Sequence, residues 1–132
     1  MITITNTTLW DNELIKAILV DAGISPIGAD IKVNVQVLTE RIASLIRSAE
    51  YDKVLGATHD HNGTIEVYID ITAGIETLAH ELKHVEQYHA IGADTFNAVY
   101  TAEAGLGSYE SNQWELEARI HGTRWLNMSK GA

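Results

Sequence analysis

The stretch His80-Glu81-Leu82-Lys83-His84 constrains this chain more than any other. It lies in a segment, from about Gly74 to Ala90, whose apolar residues recur at helical spacing. With Leu78 at zero on a helical wheel, Leu82 and Val85 fall within about 40° and Ile75 within about 60°. His80 and His84 fall near roughly 200° and 240°, away from the apolar stripe. Four residues apart, they stand about 6 Å from each other along the axis, so both imidazoles can close on one small cation. Glu81 is beside them on the same helix, where it can polarise a metal-bound water. The competing reading is a pair of exposed histidines matching a short pattern by chance.

The rest of the chain supplies elements to surround that helix. Leu14, Ile15, Ile18 and Leu19 predict a helix over Asp11 to Val20, capped by Asp11 or Thr8. Gly23, Ser25, Pro26 and Gly28 mark a loop. Strict alternation from Ile31 to Val37 predicts a strand, and Ile42, Leu45, Ile46 and Ala49 predict a helix over Thr39 to Glu50. His59-Asp60-His61 reads as a solvated loop ahead of an Asn62-Gly63 turn, with a second strand over Thr64 to Asp70. After the motif helix come a short helix over Thr95 to Thr101 and a loop at Gly105, Gly107 and Ser108. A last helix runs from about Asn112 to Leu126, and Ser129 to Ala132 are expected to fray. The expectation is a single α+β domain over residues 1–132, its small sheet packed against the motif helix and the last helix.

Composition narrows the function. The net charge of −9, with no basic cluster, argues against nucleic acid as a partner. No apolar run approaches the ~20 residues of a membrane span, and the N-terminus lacks a secretory pattern, so no membrane partner and a cytoplasmic location are expected. Without cysteine, any metal must be held by histidine and carboxylate.

Zinc needs a third protein ligand. His59, His61, His89, His121 and the acidic residues of the last helix are the candidates. With Glu115 at zero, Ala118, Gly122 and Leu126 fall near roughly 300°, 340° and 20°. Small residues beside a carboxylate let this helix approach another closely enough for Glu115 to reach a shared ion. Glu117 points about 200° away, towards His121 and Arg124, on a face expected to be solvated. Glu115 is therefore preferred. His89 suits the negative end of the helix dipole, and Tyr88, Trp114 and Trp125 suit a core.

His80-Glu81-Leu82-Lys83-His84-Val85-Glu86-Gln87, followed by Tyr109, Asn112, Trp114, Glu115, Glu117 and Ala118, resembles the gluzincin class of zinc metallopeptidases. It is most similar to small bacterial and phage domains with an H-E-L-x-H-V-x-Q helix and a later Y-x-x-N-x-x-E-x-E-A segment. The resemblance covers about Thr64 to Gly122. It implies a zincin-like fold and one Zn²⁺ held by His80, His84 and Glu115. It further implies peptide-bond hydrolysis, on a peptide or protein substrate, with Glu81 as general base. Tyr109, from the same motif, is a candidate to stabilise an oxyanion. In proteases of this type the strand upstream of the motif lies along the cleft. The chain departs from the pattern at Gln113, where relatives often have Pro, and at Arg119, where many have an Asp that orients a ligand histidine. The alternatives are a non-catalytic module of the same fold, with or without zinc, and a metal-free protein in which the pattern is accidental.

Overall fold

The computed structural model describes residues 1–25, 27, 30–39, 55–106 and 112–131, with backbone alone over 103–106. Its elements are β1 (Ile2–Asn6), α1 (Asn12–Ala22), β2 (Ile31–Val37), β3 (Gly56–His61), β4 (Thr64–Ile69), α2 (Ile75–Ile91), α3 (Ala93–Leu106) and α4 (Gln113–Gly131). This is an α+β domain. The helix expected over Thr39 to Glu50 lies, apart from Thr39, outside the described residues, as do Tyr109, Gly107 and Ser108.

The four strands form a mixed sheet in the order β1-β2-β4-β3. β1 and β4 each run parallel to β2, and β3 is antiparallel to β4. Period-two alternation in β2 and β4 turns Ile31, Val33, Val35, Ile65, Val67 and Ile69 to one side, where all are buried. Those residues meet Ile15, Ile18 and Leu19 of α1 and Leu78, Leu82 and Val85 of α2 in one core. The β3–β4 hairpin turns at Asn62 and Gly63, whose φ values of 52° and 87° are those of a tight hairpin turn.

The structure adds an N-terminal strand and the flanking of β4, which the sequence reading did not give, and corrects that reading elsewhere. Ile2–Asn6 is a strand, parallel to β2, with Ile2 and Ile4 packed against the core. His59-Asp60-His61 is not a loop but the end of β3, paired with Glu66, Ile65 and Thr64 across the hairpin. The upstream strand β4 has no free edge, because β2 and β3 flank it. Among the described residues the outermost strands are β1 and β3. The third helix runs through Gly105 to Leu106, and α4 continues through Ser129, which donates to the Leu126 carbonyl at 2.7 Å.

Helix α2 is the centre of the molecule. It packs on β3 and β4, on α1 and α3, and most extensively on α4. The face turned away from its apolar stripe is therefore covered, not solvated. Gly122 allows this: a Cβ there would lie 2.5 Å from the Glu76 carbonyl oxygen.

Candidate metal centre

The site is made where the first turn of α4 meets the middle of α2. Asn112 starts α4. Its Oδ1 accepts from the Trp114 N–H at 3.0 Å, and its carbonyl accepts from Leu116 at 2.9 Å. The cap is 1% exposed, and its Nδ2 donates to the Tyr100 carbonyl at 3.4 Å. The helix therefore begins in a fixed place, with Glu115 in its first turn, where the helix dipole favours a carboxylate.

Glu115 is turned into the interface with α2 and is 4% exposed. Its Oε2 lies 2.9 Å from His80 Nε2 and its Oε1 lies 3.2 Å from His84 Nε2. The Tyr100 hydroxyl donates to Oε1 at 2.8 Å. The two imidazole rings meet edge to face with centroids 5.1 Å apart. Phe96 lies against His84 at 6.1 Å and stacks on Tyr88 at 4.4 Å, so an aromatic wall covers this side.

A second carboxylate flanks the pair. One ligand atom each from His80, Glu81 and His84 falls within 4.8 Å of the others. Glu81 and Glu115 are not equivalent, however. Glu81 Oε1 accepts from the Thr58 hydroxyl on β3 at 2.8 Å, whereas both oxygens of Glu115 face the Nε2 atoms directly. Proximity alone groups Glu81 with the histidines, but Glu115 is the carboxylate whose two oxygens face both Nε2 atoms. Gly56 gives Glu81 its room, since a Cβ there would lie 2.9 Å from Glu81 Cγ.

The electrostatics suit a cation. Burial pushes the Glu115 carboxyl up, but hydrogen bonds from His80, His84 and Tyr100 outweigh it and hold the group well below the usual carboxylate range. Burial likewise pushes His84 down, but the hydrogen bond to Glu115 and the charges of Glu81 and Glu115 raise it to about 8. Two imidazole nitrogens and one buried, ionised carboxylate converge from two helices. That donor set fits a zinc ion.

Other singled-out residues lie elsewhere. Glu117 is exposed, and its Oε2 accepts from Gln87 Nε2 at 3.1 Å. His59, His61 and His89 are exposed and do not join the pair. His121, placed by the wheel on a solvated face, is 7% exposed because α1 covers it, and its Nε2 donates to the Ile18 carbonyl at 3.3 Å. Trp125, packed at the core margin, donates to Asp21 at 2.9 Å. Sequence reasoning missed Thr58, which sits on a strand it did not assign. It also gave Tyr100 no role beyond its place in the short helix over Thr95 to Thr101. A tyrosine on an apolar stripe has a hydroxyl to satisfy, and that was the available signal. Position 119 does not supply the partner of His84 Nδ1. Gln87, one turn along α2, does so at 2.7 Å.

The chain matches no protein-family model, no curated protein and no solved structure. Among the described residues no helix is long and apolar enough to cross a membrane.

Proposed function

We propose that this domain is a zinc-dependent peptidase of gluzincin type, with His80, His84 and Glu115 as metal ligands and Glu81 as general base. One observation carries the reading: a buried, ionised Glu115 faces the Nε2 atoms of both motif histidines, with Glu81 held beside them by Thr58. His80, His84 and Glu115 would hold the zinc ion, which would supply acidification of a water and polarisation of a carbonyl oxygen.

The chain's own groups supply the rest. Glu81, its Oε1 fixed by the Thr58 hydroxyl, accepts a proton from water as the water oxygen bonds to the peptide carbonyl carbon. It returns that proton to the leaving nitrogen as the C–N bond breaks, giving a carboxylic acid and an amine, and the acid's proton then passes to the amine to leave a carboxylate and an ammonium. Tyr100 holds Glu115 in place through its hydroxyl. Thr58 and Gly56 lie on β3, the outermost strand on that side of the sheet among the described residues, so an extended peptide added to that edge would run past Glu81.

A second reading, a non-catalytic module, is favoured by one feature. His80, His84, Tyr100 and Glu115 hydrogen-bond to one another and tie three helices together. Substitution of Glu81 separates the two. Glu81→Gln should keep about one zinc per chain and the fold but lose nearly all cleavage of a peptide library, because the amide cannot accept the proton. Equal cleavage rates in the two proteins rule out the mechanism. Zinc binding with no cleavage by wild type across the library favours the module.

A further inference from the structure

Gln87 is 2% exposed and lies between the two halves of the site. Its Oε1 is 2.7 Å from His84 Nδ1, and its Nε2 is 3.1 Å from both the Trp114 carbonyl oxygen and a Glu117 carboxylate oxygen. An amide has one end that donates and one that accepts. Two oxygens on α4 can only be met by the donating end, so the amide cannot be turned round without facing acceptor to acceptor at both. Oε1 is thereby fixed towards the ring, where it accepts. A hydrogen of His84 must then sit on Nδ1, and Nε2, which faces Glu115 at 3.2 Å and donates to it when no ion is bound, is the nitrogen left to give up its hydrogen and meet an ion.

The same side chain also senses whether α4 is in place. Trp114 directly precedes Glu115, and Glu117 follows two residues later, so both of Gln87's acceptors belong to the turn that carries the carboxylate ligand. If that turn is not docked, Gln87 loses the contacts that orient its amide, and the ring loses its fixed acceptor.

We propose that Gln87 is the positioning residue of this metal centre, holding His84 with its hydrogen on Nδ1 and Nε2 open to the ion, and coupling that orientation to the docking of Glu115. The inference rests on the reading of His80, His84 and Glu115 as ligands. It differs from a simple helix clamp, which would fix the packing of α2 on α4 without affecting how the ring meets a metal.

The test uses the full chain with zinc or cobalt alone. Zinc affinity is measured by competition with a chromophoric chelator, and the cobalt-loaded protein is followed by its visible spectrum. Gln87→Met fills the same space without an acceptor. It should weaken zinc by about 10–100-fold and alter the cobalt spectrum, while cooperative unfolding is retained. Gln87→Glu combined with Glu117→Gln restores an acceptor for the ring and the hydrogen bond to position 117, though not the donor to the Trp114 carbonyl, and should bind zinc more tightly than Gln87→Met. In zinc-loaded wild type, long-range proton–nitrogen correlation should place the hydrogen of His84 on Nδ1, which needs no variant. Unchanged affinity and cobalt spectrum in Gln87→Met overturn the inference, as does a double variant no tighter than Gln87→Met or a hydrogen found on Nε2. If Gln87→Met does not fold, the double variant and the wild-type correlation decide. A wild type that binds neither metal overturns the ligand assignment itself, and so is distinct from failure of the Gln87 inference alone.

Discussion

Glu115 keeps its charge in a place where burial opposes it, because three donors from two other helices converge on its two oxygens. Glu117, two residues on, is exposed and meets only the Gln87 amide among the contacts of this site. The two carboxylates should therefore respond differently to the same change. On the proposed assignment, Glu115→Gln removes the anionic ligand and should weaken zinc by about 100-fold or more, whereas Glu117→Gln should stay within about tenfold. Chelator competition on both variants checks this, and the opposite order would show that the wrong carboxylate has been assigned. That Glu115 and not Glu117 faces α2 was legible in the sequence because residues two apart on a helix point about 200° from each other, so only one of the pair can share a face with Ala118 and Gly122. Other members of the site were not legible. Thr58 reaches Glu81 only because β3 pairs with β4 in a particular register, and Tyr100 reaches Glu115 only because α3 folds back over α2. Contacts set by long-range pairing leave no periodic trace in the local sequence.

Between elements, the critical contact is the approach of α4 to α2. Ala118 is fully buried in it, and Gly122 sits so close that an added Cβ would meet a backbone oxygen at 2.5 Å. A main-chain oxygen inside a helix cannot swing aside as a flexible side chain can, so α4 itself must shift. Gly122→Ala should cost about 1–3 kcal/mol of stability by overpacking. It should also weaken zinc, since any shift of α4 carries Glu115 away from the histidines. Denaturant unfolding and zinc competition on this variant check both effects. Loss of stability with unchanged zinc affinity would show that the ligand turn moves independently of the rest of α4. The sequence revealed β2 and the core of α2 well, because one-sided burial imposes a strict period on each. It concealed β3, since Gly56-Ala57-Thr58-His59-Asp60-His61 has no apolar alternation to show. An edge strand of that composition is held by its partner strand, not by its own propensity.

At the scale of the whole molecule, the placement of α1 over α4 adds a pH dependence separate from the candidate metal site. His121 of α4 is buried against the C-terminal half of α1, with its Nε2 on the Ile18 carbonyl and its Nδ1 3.8 Å from an Asp21 oxygen. Burial lowers its pKa below the usual 6.5, more than the Ile18 carbonyl and Asp21 raise it, while Lys83 and Arg124 push it further down. Asp21 itself is lowered, first by its hydrogen bond from Arg124 and also by Trp125, against the effect of burial. Both shifts have the same sign. For each group the unfolded chain takes up a proton more readily than the folded one, so each contribution is present at high pH and lost on acidification. The windows differ: His121 acts as pH falls below about 6.5, and Asp21 only as pH falls below about 3.8. Thermal unfolding in the presence of a chelator should therefore show a midpoint that drops between about pH 6.5 and 5, where protonation of His121 is the relevant step. His121→Gln keeps a donor for the Ile18 carbonyl but cannot take up a proton, and its midpoint should be flatter across that interval. An equally steep fall in the variant would show that another group, not the histidine enclosed by α1, controls the acid response of the fold.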